Sequence, residues 1–321
     1  MIRRPPRSTQ GVSSAASDVY KRQAGKISMA SGGGDGGFGI RIVDEGRYGY
    51  AHLVDPSSAA NAIEQALSIA KMSPSIEGFE LPENQSSQKV GGMLDKSLLD
   101  LGPEELLSQG DIVIQRVKEL DSRAVAVGGG LGVGAGADVI LTSNGIEDGG
   151  IHTSHGIGIH VSIDENEDLT SSYEGESSRF MLKDLTASVD KAVHWSQITR
   201  DKIKGGDTED CPVMMTSDGF SPLFSVVVPS AISGERLARG ESFWSQKMGE
   251  SVMAGHLSLI DDGLMEGGMS SGSRDAEGVP SQTQTIVQSG KLTGELFESQ
   301  KIMERMKASD VNRATEIAVS Y

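Results

Sequence analysis

The sequence predicts an α+β protein in two domains. The N-terminal part pairs antiparallel strands with helices, and the C-terminal part is mainly β-sheet. Three observations carry this. Strand-period apolar runs lie near both ends, at 26–53 and again at Leu257, Leu259 and Thr285-Ile286-Val287. Between them are three helical stripes, and a Gly205-Gly206-Asp207 break ends the last of these. An apolar content of 37% over 321 residues is enough for two cores.

Residues 26–53 read as two strands around an Asp44-Glu45-Gly46 turn. A helix follows, with Asp55 as N-cap, Pro56 at the first helical position, and a stripe of Ala59, Ile63, Ala66, Leu67 and Ala70. Residues 72–102 are loop-like, with Pro74, Pro82 and Gly91-Gly92. The second helix opens at Pro103, striped by Leu106, Gly110, Val113, Val117 and Leu120. A glycine-laden segment at 125–139 leads through Val139-Ile140-Leu141 to Asn144-Gly145, a hairpin signal, and 151–163 is the return strand. A third helix is expected over about 184–203, striped by Leu185, Val189, Ala192, Val193 and Ser196. Beyond the break, 212–215 and 225–228 read as strands, and 230–239 and 296–308 as short helices. The domains are therefore placed at 24–205 and 206–321.

Residues 1–23 are expected to stand outside this fold, as an artefactual or disordered segment. They hold five basic residues and one acid, without apolar period. They lack the apolar core of a secretory signal. An Arg/Ser-rich transit peptide is the alternative, but the run resembles a translated sequencing adapter. Setting them aside leaves 24 basic against 44 acidic residues, net −20, compared with −16 for the whole chain. Such a surface repels phosphate backbones and anionic lipid, which argues against direct nucleic-acid or membrane binding. One cysteine, Cys211, excludes an intrachain disulfide framework and fits a reducing, cytoplasmic compartment. No apolar stretch approaches the ~20 residues of a membrane span.

Several motifs fail on their chemistry. Six histidines are present, at 52, 152, 155, 160, 194 and 256; none is followed by glutamate, and no helical pair is spaced to chelate zinc. On a strand, His152 and His160 share one face and His155 points to the other. Gly132-Val133-Gly134-Ala135-Gly136-Ala137 matches a loose dinucleotide pattern, but no helix follows it. A glycine-rich strand permitting close backbone approach is the better reading. Gly268-Met269-Ser270-Ser271-Gly272 has the form of a nucleophile elbow, yet no histidine lies downstream. Asp164-Glu165-Asn166-Glu167-Asp168 lacks the glycine and the closing glutamate of a calcium loop.

The acidic, glycine-rich run between the C-terminal strands is different. It holds Asp261-Asp262-Gly263, then Ser273-Arg274-Asp275-Ala276-Glu277-Gly278-Val279-Pro280, and closes with Ser289-Gly290-Lys291-Leu292. A loop of that length in a compact domain is usually functional or disordered. This block resembles the C-terminal domain of the TldD/PmbA family, also called modulators of DNA gyrase. Gly37-Phe38-Gly39-Ile40-Arg41-Ile42-Val43 with Gly46-Arg47-Tyr48-Gly49-Tyr50-Ala51 is similar to that family's N-terminal hairpin, and Thr142-Ser143-Asn144-Gly145 to its central turn. The resemblance covers roughly residues 25–315, and it implies that the chain is incomplete at both ends.

The resemblance implies more. The family's catalytic branch is a zinc peptidase carrying His-Glu-x-x-x-His on a helix, in which two histidines hold the metal and the glutamate activates its water. Where that motif would fall, this chain reads Val228-Pro229-Ser230-Ala231-Ile232-Ser233-Gly234-Glu235. The chain thus looks like the PmbA (TldE) branch, the non-zinc subunit of a heterodimeric metallopeptidase. The expected partner is a TldD-like subunit bearing the zinc, and the expected substrate is an unfolded or modified peptide. No cofactor and no catalytic or metal-binding residue is expected in this chain. Asp261, Asp262, Gly263, Arg274, Asp275, Glu277 and Gly278 are the candidate chamber or strand-contact loop. A non-proteolytic regulator of a toxin or gyrase system and a self-sufficient hydrolase are the competing readings.

Overall fold

The computed structural model describes residues 11–23, 26–76, 79–165, 168–199, 212–297 and 318–320. Its centre is a six-stranded sheet, antiparallel at every pairing: β1 (Gly11–Gln23), β2 (Lys26–Asp44), β3 (Arg47–Leu53), β4 (Ala124–Leu141), β5 (Glu147–Glu165) and β6 (Asp168–Ser178), in the order β3-β2-β1-β4-β5-β6. The β2–β3 turn falls where the sequence puts it, with Glu45 and Gly46 both at positive φ (49° and 72°), the geometry a tight hairpin needs. The α+β class expected from the sequence is the one observed.

Helices cover one face of this sheet. Residues alternate across a strand, and the register sends Leu131, Ile157, Ile159, Val161 and Ile163 to the same side. There they meet Leu106, Val113 and Val117 of α2 (Pro103–Leu120) and Val189, Ala192 and Val193 of α3 (Thr186–Ile198). Both stripes match the sequence reading. Arg116 of α2 joins them with a two-pronged contact to Asp190 of α3, at 2.8 and 2.9 Å.

α1 (Ala59–Met72) packs on β2 and β3 with a correction. Asp55 caps the preceding 3-10 turn, its side chain accepting from Ser57 N, and Pro56 opens that turn as expected. The buried stripe, however, is Ala62, Ala66 and Ala70, while Ile63 is 43% exposed. Close approach decides this: a Cβ at Gly49 of β3 would overlap the Ala66 carbonyl, so only the alanine face can seat against the strand.

The opposite face is floored by glycine. Register places Gly130, Gly132, Gly134 and Gly136 of β4 beside Gly158, Gly156, Ser154 and His152 of β5, and Gly175 and Ser177 of β6 continue the row. The His152 ring lies over Gly136, where a Cβ would fall 2.5 Å from Nε2. α1, α2 and α3 pack on the other side.

Other expectations are corrected. Residues 11–23 were placed outside the fold, yet they form β1 between β2 and β4. Their backbone pairs with Gly32–Gly39 of β2 and Gly130–Ala137 of β4. β6 was not anticipated at all. Residues 225–228 are helical, part of α4 (Ser217–Ile232), and 212–215 form no strand. Thr216 caps α4 by accepting from Gly219 N, and burial of Val228, Ala231 and Ile232 overrides the strand preference of the valines. The helix expected over 230–239 is split at Ser233 between α4 and α5 (Gly234–Arg239). Residues 295–297 are strand β10, which pairs with β11 (Ala318–Ser320), and the remainder of the expected 296–308 helix lies outside the described residues. The proposed domain boundary at 205–206 also lies outside them.

The C-terminal core joins α4 to a three-stranded sheet of β7 (Leu259–Asp262), β8 (Thr283–Gln288) and β9 (Lys291–Leu292). Trp244, Ile286, Val287 and Leu292 fill it. Residues 263–282, between β7 and β8, reach back to the central sheet.

Candidate functional site

The β4–β5 hairpin and this long loop are locked together by arginines. Thr142 Oγ1 accepts from Ile146 N and shapes the Asn144-Gly145 turn. The Asn144 amide donates to the carbonyls of Leu81 and Pro82, and Asn84 donates to Gly145 O, so the 79–90 segment is fixed to the hairpin tip. Asp148, just inside β5, then accepts from Arg274 Nε (3.0 Å), Ser273 Oγ (2.9 Å) and Ser87 Oγ (3.2 Å). The Arg274 guanidinium also donates to the carbonyls of Gly278 and Gln85. Burial pushes the Asp148 carboxyl up, but hydrogen bonds from Ser273, Gly149 N, Ser87 and Arg274 outweigh it, and the group sits below the usual carboxylate range.

The other loop residues complete this arrangement. Asp275 Oδ1 accepts from the Glu277 and Val279 amides, closing a tight turn. That turn puts Gly278 at φ 95°, where a Cβ would lie 2.8 Å from Ile146 Cδ1. Glu277 reaches Arg41 of β2 at 3.7 Å. Asp262 accepts from Leu264 N and Thr283 Oγ1, and Gly263 O accepts from Gly272 N across the loop neck. Asp261 behaves differently: half-buried on β7 opposite Gln284, its carboxyl is pushed up by burial and by the adjacent Asp262. The structure therefore gathers Arg274, Asp275, Glu277 and Gly278 at the hairpin end of the glycine-floored sheet. Asp261, Asp262 and Gly263 stand at the loop neck.

A second anchor lies further along the loop. Arg179, 7% exposed, follows β6 and donates to Met269 O (2.6 Å) and more weakly to Gly268 O and Thr153 O (both 3.4 Å). Gly267 N donates to Gly91 O at 3.0 Å. Sequence reasoning missed Asp148, Arg179 and Arg41 as parts of the site. Arg274 and Asp148 are 126 positions apart, and no local pattern links residues at such separation.

Zinc does not fit the histidines of β5. His155 points into the helix-covered side, and its Nδ1 accepts from Leu182 N. His152 lies 3.5 Å from Asp138, and His160 is eight residues away, roughly 27 Å along an extended strand. Among the described residues no group of three or more His, Cys, Asp or Glu side chains could hold a metal. Among them, too, no helix is long and apolar enough to cross a membrane.

Comparison with known proteins places this architecture. Residues 17–70 match the PmbA/TldA metallopeptidase domain 1, and residues 208–312 match the PmbA/TldA metallopeptidase C-terminal domain. An uncharacterized protein of Methanocaldococcus jannaschii is 25% identical over 281 residues, covering 86% of this chain and 63% of that one. Metalloprotease PmbA of Escherichia coli O157:H7 is 24% identical over 293 residues, covering 86% and 62%. The chain thus spans about three fifths of the length of these relatives. The crystal structure of TldE from Thermococcus kodakarensis superposes with a TM-score of 0.82 at 23% identity, over 92% of this chain and 67% of that one. A Bacteroides thetaiotaomicron structure described as a modulator of DNA gyrase gives 0.80 at 19% identity, over 95% and 70%. With both matched domains in order around the glycine-floored sheet, the chain belongs to the PmbA/TldD family.

Proposed function

We propose that this chain is the PmbA/TldE-like, non-zinc subunit of a heterodimeric zinc metallopeptidase. Its work is to shape the chamber in which a TldD-like partner cleaves unfolded or modified peptides in the cytoplasm. The observation that carries the reading is the stretch 228–235. Val228-Pro229-Ser230-Ala231-Ile232-Ser233-Gly234-Glu235 spans the end of α4 and the start of α5 and holds no histidine. Water activation needs a metal that this stretch cannot hold, so that chemistry is assigned to the partner.

Positioning an extended peptide demands less. A backbone without side chains in the way, and a free sheet edge, are enough to bind main chain with little regard for sequence. The glycine floor at 128–136 and the anchored loop at 263–278 supply the bare face, and since β4 is paired on both sides, main-chain pairing falls to the edge strands β3 and β6. The net charge of −16 argues against a phosphate backbone as the natural occupant.

The test is a mixing assay on unfolded casein-type peptides, using a full-length version of this chain and a TldD-like partner. Activity is expected only from the mixture, and it should vanish when the partner's metal-adjacent glutamate is replaced. Full activity from this chain alone would make it a self-sufficient hydrolase. Full activity of the partner without it would leave a non-proteolytic regulatory role.

A further inference from the structure

His155 is fully buried on the helix-covered face of β5. Its Nδ1 accepts the Leu182 amide at 3.0 Å, so the single proton of the neutral ring sits on Nε2. That Nε2 has no hydrogen-bond partner. A second proton can go only to Nδ1, onto the lone pair that Leu182 N–H already uses. Protonation and the Leu182 bond are therefore mutually exclusive.

Leu182 closes a short segment on which the Arg179 anchor of the loop depends. The Arg179 carbonyl accepts from Thr153 Oγ1 at 2.8 Å, and the Arg179 guanidinium holds Met269 O and Gly268 O. Met181 N donates to Asp95 Oδ2, and Asp95 N donates to Thr153 Oγ1. The charged groups of this junction are Asp95 and Arg179; the register partners of His155, Val133 on β4 and Ser178 on β6, carry no charge. Asp95 is occupied by Ser97 and Met181, and these bonds hold its carboxyl below the usual range, so it stays ionised until strong acid.

We propose that the His155–Leu182 junction is an acid-sensitive latch, closed while the ring is neutral and released by its protonation, which frees the 263–272 part of the loop from the central sheet while the Asp148–Arg274 contact holds the rest. Burial supports the direction, since it holds the ring's pKa below its ordinary 6.5. A ring exposed by opening titrates near ~6.5. The folded group is depressed, so the junction keeps its full stability above that value and loses it progressively as pH falls below it.

The experiment uses the full chain. Nitrogen-15 spectra of the histidine rings report the tautomer, and amide exchange is followed at Leu182 and at Gly267, whose N–H bonds Gly91 O across the junction. At pH 7.5 the His155 ring should carry its proton on Nε2. Between pH 7.5 and 5, exchange at both amides, corrected for its intrinsic pH dependence, should accelerate at least tenfold, with α3 amides unchanged. His155→Gln, a neutral side chain that can still accept from Leu182 N, should abolish that step, and His152→Gln should leave it intact. An Nδ1-protonated ring at neutral pH, or the same acceleration in His155→Gln, would overturn the proposal. Should His155→Gln fail to fold, the wild-type tautomer and the two amide profiles decide alone.

Discussion

The two faces of the six-stranded sheet are built by opposite rules. On one, branched side chains from β4 and β5 interdigitate with α2 and α3, and stability comes from apolar area removed from water. On the other, glycines leave the backbone bare, and what holds the neighbouring loop is a few arginines and one aspartate. The first face tolerates little change of volume. The second tolerates side-chain changes along its floor and depends instead on its anchors. A protein that must hold a chain against its backbone, and yet stay folded, can divide the two tasks between faces in this way.

The largest effect should come from the packed face. Ile159, 1% exposed, replaced by alanine should cost about 3–4 kcal/mol in urea unfolding. Gly156→Ala, three residues away on the bare face, should cost less than about 1 kcal/mol, since the tightest contact of its new Cβ is the Glu176 carbonyl at 3.3 Å, with Ser177 at ordinary van der Waals distance. Equal losses at the two sites would erase the distinction between the faces.

Next comes the anchor. Asp148→Ala leaves the Arg274 side chain, 8% exposed, without its carboxylate, and about 3 kcal/mol of loop docking should be lost. Limited proteolysis in 263–273 reads this directly, and unchanged cleavage would show that the contact is idle. Asp148→Asn keeps most of the hydrogen-bond geometry and should give a smaller loss.

How much of this was legible in the sequence follows the same division. The α2 and α3 stripes and the Glu45-Gly46 turn were readable because periodicity and turn chemistry are local. The α1 face was misjudged: Ile63 looks like the core residue, but the glycine at position 49 on a neighbouring strand selects the alanines. The valines of α4 read as strand, but Val228 is buried in a core with Trp244 and Ile286, distant in sequence, while Val226 and Val227 stay exposed on the helix. In the loop, the acidic and glycine residues announced a special segment, yet their partners Asp148, Arg179 and Arg41 carry no signature of their own. Their meaning is set by contacts 90 or more positions away, such as Arg179 to Met269.

Smaller effects sharpen the picture. Gly278→Ala forces a side chain into the left-handed region against Ile146 and should cost about 1–3 kcal/mol, read as a lower unfolding midpoint. The mildest expected effect is acid sensitivity of the Asp148 contact. Its carboxyl is depressed in the fold, so its contribution is complete above the ordinary value of ~3.9 and is lost as pH falls through its lower folded value. Loop release confined to pH below about 4 in a His155→Gln background would isolate this step from the histidine latch.

The proposed function makes the bare face and its anchored loop the surface that meets peptide and partner. Hydrogen-exchange mapping of this chain, alone and then mixed with a TldD-like partner and an unfolded peptide, tests it most directly. New protection is expected at 128–136 and 263–278, with the α2 and α3 amides unchanged. Protection confined to the helix-covered side, with the glycine strands exchanging as before, would contradict it.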